Sequence, residues 1–308
     1  MKRVLQILLF FSSLGYSQNT QVDDFKITIL STMLSDFHLG EWGFSALVEV
    51  DGERILFDTG SRAHTVIQNA EELKIDLNNI ENVYLSHNHK DHTGGLISLK
   101  KRYPSSFSKA HVGKGIFYSR PRKQGGDHYL LENKDQLKKQ GVAFIAHEKP
   151  TEITPKVWTT GFVPRVHNEK NWSKLGIIID DKGDKKEDTI PEDQSLFFDT
   201  KKGIVLVSGC GHAGLVNTLE HISNIFPERP IYKIIGGFHL FRLGKEKLEW
   251  TANKMKDRGV EYFVGAHCTG INSTYMIRDF MNASKTKVLV GSVGTYATQE
   301  GITPGIME

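Results

Sequence analysis

The sequence predicts a mixed α/β fold of the α+β kind, with two mixed β-sheets packed face to face and helices outside. Two observations carry this reading. Each half of the chain opens on a hairpin of apolar strands, and strands and helices alternate from each hairpin onward. At 308 residues, 39% hydrophobic and 24% charged, the chain has enough apolar content for one sizeable core. It has no short-period repeat or low-complexity tract that would point to a solenoid.

From Ile27 onward the pattern is strand, turn, strand. Positions 44–50 alternate, Asp51-Gly52 supplies a two-residue turn, and residues 54–57 return toward Asp58-Thr59-Gly60. Val66, Ile67, Ala70 and Leu73 then fall at helical spacing within residues 63–74. Val83-Tyr84-Leu85 is a short apolar strand that runs directly into a histidine cluster. Residues 104–172, rich in glycine, proline, aromatic and basic residues, are expected to be loops and short strands that partly cover the site, with one helix around 134–140. Residues 177–179 are apolar and 180–193 form a charged loop expected to be exposed. Residues 195–199 and 203–207 then make the second hairpin around Thr200-Lys201-Lys202-Gly203. Helices are expected at 215–225, 248–258 and 275–281, interleaved with strands at 232–235, 262–264 and 288–290.

At the N-terminus, Lys2 and Arg3 precede an apolar run over residues 4–14 and a small, polar stretch ending at Ser17. This is the shape of a secretory signal peptide over 1–17, too short to span a bilayer. The expected organisation is therefore that segment followed by a single domain over 25–308, with 104–172 a site-covering insertion, in a periplasmic or secreted protein. No cysteine lies near the cleavage point, so no membrane anchor is expected after its removal. The net charge of +3, from 39 basic against 36 acidic residues, is too slight to argue for a nucleic-acid partner. The expected partner is a small-molecule substrate, and the oligomeric state stays open. Cys210 and Cys268 are the only cysteines, too few for a disulfide scaffold. Each lies beside a histidine in a glycine-containing segment, which makes both candidate site residues, with a pairing between them as the alternative.

Within six residues, His87, His89, Asp91 and His92 offer four metal-binding side chains. Imidazole suits Zn²⁺ and neighbouring ions, and a carboxylate adds a hard anionic ligand. Alternate side chains of extended backbone share a side, so His87 and His89 can converge on one ion while the turning chain presents Asp91 and His92 to a second. Two adjacent divalent ions, zinc by preference, follow. A chance histidine-rich loop is the competing reading, and further histidines in similar settings downstream argue against it.

Residues 87–92 match the H-x-H-x-D-H motif of the metallo-β-lactamase superfamily, and Phe57-Asp58-Thr59-Gly60 resembles the strand-ending aspartate motif that precedes it. Three later segments are similar to the subgroup that includes the archaeal dihydropterin ribofuranosylaminobenzene phosphate synthase. They are Ser208-Gly209-Cys210-Gly211-His212-Ala213-Gly214, Gly236-Gly237-Phe238-His239-Leu240 and Ala266-His267-Cys268-Thr269-Gly270. The resemblance spans roughly residues 25–295. It implies the four-layer αββα sandwich of that superfamily, with His87 and His89 on one metal, Asp91 and His92 on the second, and His267 completing the second. It also implies that Asp58 orients a liganding histidine, where a plain turn residue is the alternative.

His212 is the choice for the remaining histidine ligand, although the chain departs from the family pattern here. No aspartate occupies the usual bridging place, and Cys210 could bridge as a thiolate, bind one ion only, or pack at the strand end. His239 could donate a proton, bind metal, or be a structural histidine. Arg120, Arg122 and Lys123 with Tyr118 and Tyr129 could line a pocket for an anionic substrate or form a solvated basic loop. His38, His64, His111, His128, His147, His167 and His221 lack comparable settings.

The expected function is that of an exported metal-dependent hydrolase acting on an ester, lactone or phosphoester, with Asp91 and His239 as candidate catalytic residues. Paired ions would lower the pKa of a water and polarise the substrate oxygen. A non-hydrolytic transferase or condensing enzyme is the alternative, and export argues against pterin-precursor synthesis, which needs cytosolic metabolites. A binding protein without turnover is the third reading, opposed by the intact set from His87 to His92.

Overall fold

The computed structural model describes residues 21–169, 171 and 176–306; the expected signal sequence, 1–17, lies outside the described residues. Within them two sheets form. The first is assembled from β1 (Phe25–Ser31), β2 (Ser45–Val50), β3 (Glu53–Phe57), β4 (Asn82–Leu85), β5 (Lys109–Gly113) and β6 (Ala143–His147). The second begins with β7 (Thr151–Thr154) and β8 (Val157–Thr159). A separate two-stranded ribbon, β9 (Ile177–Ile179) with β10 (Lys185–Glu187), follows in the chain. The second sheet continues through β11 (Leu196–Thr200), β12 (Gly203–Ser208), β13 (Ile231–Gly236), β14 (Tyr262–Gly265) and β15 (Val288–Val290). The chain then returns to the first sheet with β16 (Tyr296–Thr298) and β17 (Ile302–Thr303), giving the orders β17-β16-β1-β2-β3-β4-β5-β6 and β15-β14-β13-β12-β11-β8-β7.

Period-two alternation sorts the side chains into layers. In β2, Val48 faces the second sheet and Leu47 the opposite side. In the second hairpin, Phe198 and Val205 face inward while Phe197 and Leu206 face the outer helices. The inter-sheet core thus contains Phe25, Ile27, Phe57, Tyr84, Phe198 and Val264. Helices α1 (Thr65–Glu72) and α3 (Leu96–Arg102) contribute to the outer core of the first sheet. Helices α6 (Leu215–Ile225), α7 (Lys245–Asp257) and α8 (Ile271–Met281) cover the second. Short helices α2 (Lys90–Thr93), α4 (Tyr129–Glu132) and α5 (Lys134–Lys139) complete the set. This is a four-layer αββα sandwich, and among the described residues no helix is long and apolar enough to cross a membrane.

Two expectations change. Residues 104–172 do more than form loops and short strands near the site, because β5 and β6 extend the first sheet in parallel and β7 and β8 finish an edge of the second. Residues 180–193 are not an exposed loop throughout. The ribbon takes their first part, while Ile190, Glu192 and Asp193 are buried because Arg120 pairs with Glu192 and the Ala213 amide donates to Asp193. The pairing of β16 with β1, two strands from distant parts of the chain, was not legible in local pattern.

Candidate metal centre

Parallel pairing in step brings the chemistry to one edge of the sandwich. Phe57 of β3 lies opposite Tyr84 of β4, Ser208 of β12 opposite Gly236 of β13, and Gly236 opposite Gly265 of β14. Each of these strands is followed at once by a candidate segment: Asp58, then Ser86 to His92, then Gly209 to His212, then Gly237 to His239, then Ala266 to Cys268. Ligands sit outside the carboxyl ends of parallel strands because the loops there are free of sheet pairing. The turns are tight, and Asp58, His239 and His267 have φ of 53°, 48° and 46°, a left-handed conformation that non-glycine residues seldom adopt outside sites that over-determine it.

All seven residues expected to hold metal come together. His87, His89 and His212 form one potential cation-binding group, Asp91, His92 and His267 a second, and Cys210 groups with His87 and His92 between them. The hydrogen bonds fix which ring nitrogens face inward. Ser86 Oγ donates to Asp58 Oδ2 at 2.7 Å, so at 2.9 Å it accepts from His87 Nδ1, leaving the lone pair on His87 Nε2. His212 Nδ1 must donate to the carbonyl oxygen of Asn171 at 2.5 Å, which leaves a lone pair on its Nε2 as well. These two Nε2 atoms face each other at 3.3 Å. Burial, with the neighbouring histidines adding to it, holds both rings well below the usual imidazole pKa, so neither carries the proton that would reconcile them. Two opposed lone pairs in a dry site are the arrangement a cation resolves, and the residues present fit a metal.

The other half of the site draws positive charge. His92 Nδ1 donates to Asp58 Oδ2 at 2.7 Å, and its Nε2 lies 3.3 Å from His267 Nε2 and 3.1 Å from Cys210 Sγ. Burial opposes protonation of His92, yet Asp58 and Asp91 outweigh it and lift the ring to about 9. Burial alone would raise the Asp91 carboxyl, but His92 and His267, the latter with its Nε2 at 3.3 Å, hold it well below the usual range. His89, only half-buried, is lowered to about 4, by burial above all. Asp58 belongs to none of these candidate groups. It accepts from Ser86 N, Ser86 Oγ and His92 and thereby sets the orientation of the His87 and His92 rings.

A cleft of about 450 Å³ opens over the centre, lined by Trp42, His89, Asn171, Asp188, His212, His239, Phe241 and Arg242 among others. His239 is half-buried on its wall, 4.4 Å ring to ring from His212, with Nδ1 3.3 Å from the Cys210 carbonyl oxygen. The expected basic pocket takes another form. Arg120 is bound by Asp188 and Glu192, Arg122 pairs with Glu132, and Lys123 is exposed, so the cation lining the cleft is Arg242 instead. Tyr118 lines a different cavity of about 570 Å³, and Tyr129 donates to the Gly94 carbonyl oxygen. His111 and His147, read as lacking a setting, are buried and joined Nδ1 to Nε2 at 2.9 Å, away from the centre.

Trp42, Phe241, Arg242, Asn171 and Ser86 escaped the sequence reading. Trp42 sits in Gly40-Glu41-Trp42-Gly43 and Phe241-Arg242 directly follows the His239 segment, so adjacency to glycine turns was the available pointer. Neighbouring Glu41 is buried. Its carboxylate accepts from Ser31 Oγ, the Ser61 and Arg62 amides and Thr65 Oγ1, tying the loop under Trp42 to the turn after Asp58.

Comparison with known proteins agrees with this fold. The family profile described as Anti-Pycsar protein Apyc1 matches residues 25–112. Over 286 residues the chain is 28% identical to the 7,8-dihydropterin-6-methyl-4-(β-D-ribofuranosyl)-aminobenzene-5'-phosphate synthase of Methanocaldococcus jannaschii, covering 89% of this chain and 97% of the synthase. A functionally uncharacterised protein of the same archaeon is 29% identical over 260 residues, covering 83% of this chain and 94% of the relative. The crystal structure of Tm1679, a metal-dependent hydrolase of the β-lactamase superfamily, superposes with a TM-score of 0.74 at 26% identity, covering 89% of this chain and 98% of that one.

Proposed function

From the metallo-β-lactamase fold of this chain and its resemblance to the subgroup of the archaeal synthase, we propose that it is an exported hydrolase with a dinuclear metal centre, acting on an ester, lactone or phosphoester. The observation that carries the metal is the pair of neutral histidines, His87 and His212, whose Nε2 lone pairs oppose each other at 3.3 Å. His87, His89 and His212 would hold one ion, Asp91, His92 and His267 the other, with Cys210 between. Bound there, divalent ions such as Zn²⁺ lower the pKa of water toward neutrality and polarise the substrate's carbonyl or phosphoryl oxygen.

The chain's own groups do the rest. Asp58 and the Asn171 carbonyl lock the ring tautomers and remove the freedom the rings would otherwise lose on binding. Asp91, ionised at neutral pH, is placed to accept a proton from the attacking water. His239, on the cleft wall, donates to the leaving group. Its Nδ1 lies 3.3 Å from the Cys210 carbonyl oxygen, which orients the ring for that transfer. Trp42, 4.8 Å ring to ring from His267, and Phe241 narrow the mouth against water, and Arg242 draws an anionic group on the substrate. Export rests on the apolar run that follows Lys2 and Arg3.

The synthase relative favours a second reading, in which the same ions template a phosphorylated substrate for condensation and the chain stays in the cytosol. A panel of carboxylic esters, lactones and phosphodiesters, each assayed with wild type and His89→Ala, decides between them. The hydrolase reading expects His89-dependent turnover of at least one class. No turnover of any, together with formation of a dihydropterin-linked product, would establish the second.

A further inference from the structure

Cys268 stands outside the two histidine-rich groups, and the reaction as drawn does not use it. With Cys210 and His239 it forms a further group whose donor atoms all lie within 4.8 Å of one another, sharing only Cys210 with the others. Both sulfurs are buried and lie 3.4 Å apart without a bond. Two thiolates on one tetrahedral zinc stand about 3.8 Å apart, given bonds of roughly 2.3 Å, so a few tenths of an ångström of opening admits an ion. The His239 amide donates to Cys268 Sγ at 3.3 Å, which favours sulfur as the anion. The left-handed turns at His239 and His267, at the ends of β13 and β14, set the amide and the sulfur facing each other. His239 lines the cleft, which gives an ion its way in.

We propose that Cys210, His239 and Cys268 form a separate, inhibitory position for a thiophilic cation such as Zn²⁺ in excess or Cd²⁺. The position shares Cys210 with the catalytic groups and its sulfurs must open to admit an ion, so Zn²⁺ fills it after the catalytic pair, while two sulfurs and one imidazole give it a softer selectivity than three imidazoles or a carboxylate with two imidazoles. An ion there takes the ring of His239 as ligand and withdraws it from proton donation. This inhibitory consequence rests on the hydrolytic reading; the binding does not.

Metal-free full-length chain titrated with Cd²⁺ reports binding through thiolate-to-cadmium absorption in the ultraviolet, and zinc-loaded chain titrated with further Zn²⁺ reports activity. Wild type is expected to take up a third equivalent with added absorption, and excess Zn²⁺ to lower turnover more than tenfold. Cys268→Ser is expected to lose that equivalent while keeping basal turnover, with half-inhibition moved at least tenfold higher in Zn²⁺. If that variant does not fold, Cys268→Ala carries the comparison, and a wild-type titration that stops at two equivalents overturns the proposal by itself. Identical titrations of wild type and variant would also overturn it, as would an unreduced wild-type mass two hydrogens light, which marks a disulfide. A third equivalent without inhibition would overturn the inhibitory role and the assignment of His239 as proton donor, and leave the metal centre standing. If no substrate is found, the absorption titration still decides the binding.

Discussion

Asp58 shows how one side chain outside the candidate ligand groups governs the centre. It accepts from the Ser86 hydroxyl and from His92, and through Ser86 it also fixes the tautomer of His87, so one ring of each of the two histidine-rich candidate groups depends on it. Replacing it should leave the ligands present but misaligned. Asp58→Ala is expected to weaken metal affinity by about 10- to 100-fold, measured by competition with a chromophoric chelator. Unchanged affinity would mean that the rings are positioned by packing alone. Glu41 plays the corresponding part for the loop. Its buried carboxylate accepts from two amides and two hydroxyls, and Glu41→Ala strands those donors. A loss of about 3 kcal/mol in urea unfolding is expected, since hydrogen bonds to a buried charge are worth more than neutral ones. Asp58 was readable because it closes a strand in a known motif. Glu41 was not, because four donors scattered from Ser31 to Thr65 meet it only in the fold.

Strand ends meet closely, and glycine makes that possible. A methyl group on Gly209, just after β12, would stand 2.1 Å from Ser86 Oγ and 2.7 Å from Asp58 Oδ2, the hydrogen-bonded core of the centre. Gly209→Ala must therefore push β12 away from β4 or break the Ser86 contacts. It is expected to cost about 1–3 kcal/mol of stability and to lower metal content together with it, read by thermal unfolding and elemental analysis of the same sample. A stable variant with full metal content would contradict that packing. The hairpins and the three long helices were legible because burial on one face imposes a period of 2 or 3.6. The strands of residues 104–172 and β16 with β17 were not, since edge strands are short and take their partners from far along the chain. α2 hid beneath the motif itself, its four residues, from Lys90 to Thr93, being the ligands and their neighbours.

Across the whole molecule, the return of the chain to the first sheet is secured partly by Lys233, a fully buried residue of β13 whose Nζ donates to the carbonyl oxygens of Thr298 and Gly301. Burial lowers its pKa from 10.5 to about 8. Between those values the unfolded chain holds the proton that the folded chain has shed, so stability rises with pH through that window. Wild type is expected to gain up to about 3 kcal/mol relative to Lys233→Met from pH 8 to 10.5, followed by urea unfolding; parallel profiles would show the ammonium to be fully solvated. The candidate site was legible because its candidate ligands are held at strand ends within short motifs. The cleft's Trp42, Phe241 and Arg242 were not, since a wall has no spacing of its own and takes shape only when loops from both sheets meet. The central claim is that His87, His89, Asp91, His92, Cys210, His212 and His267 together hold two ions. Elemental analysis of the purified chain after exhaustive dialysis, beside His89→Ala, tests it most directly. The account predicts two divalent ions per wild-type chain and no more than one in the variant; no bound metal in the wild type, or equal metal in both, would contradict it.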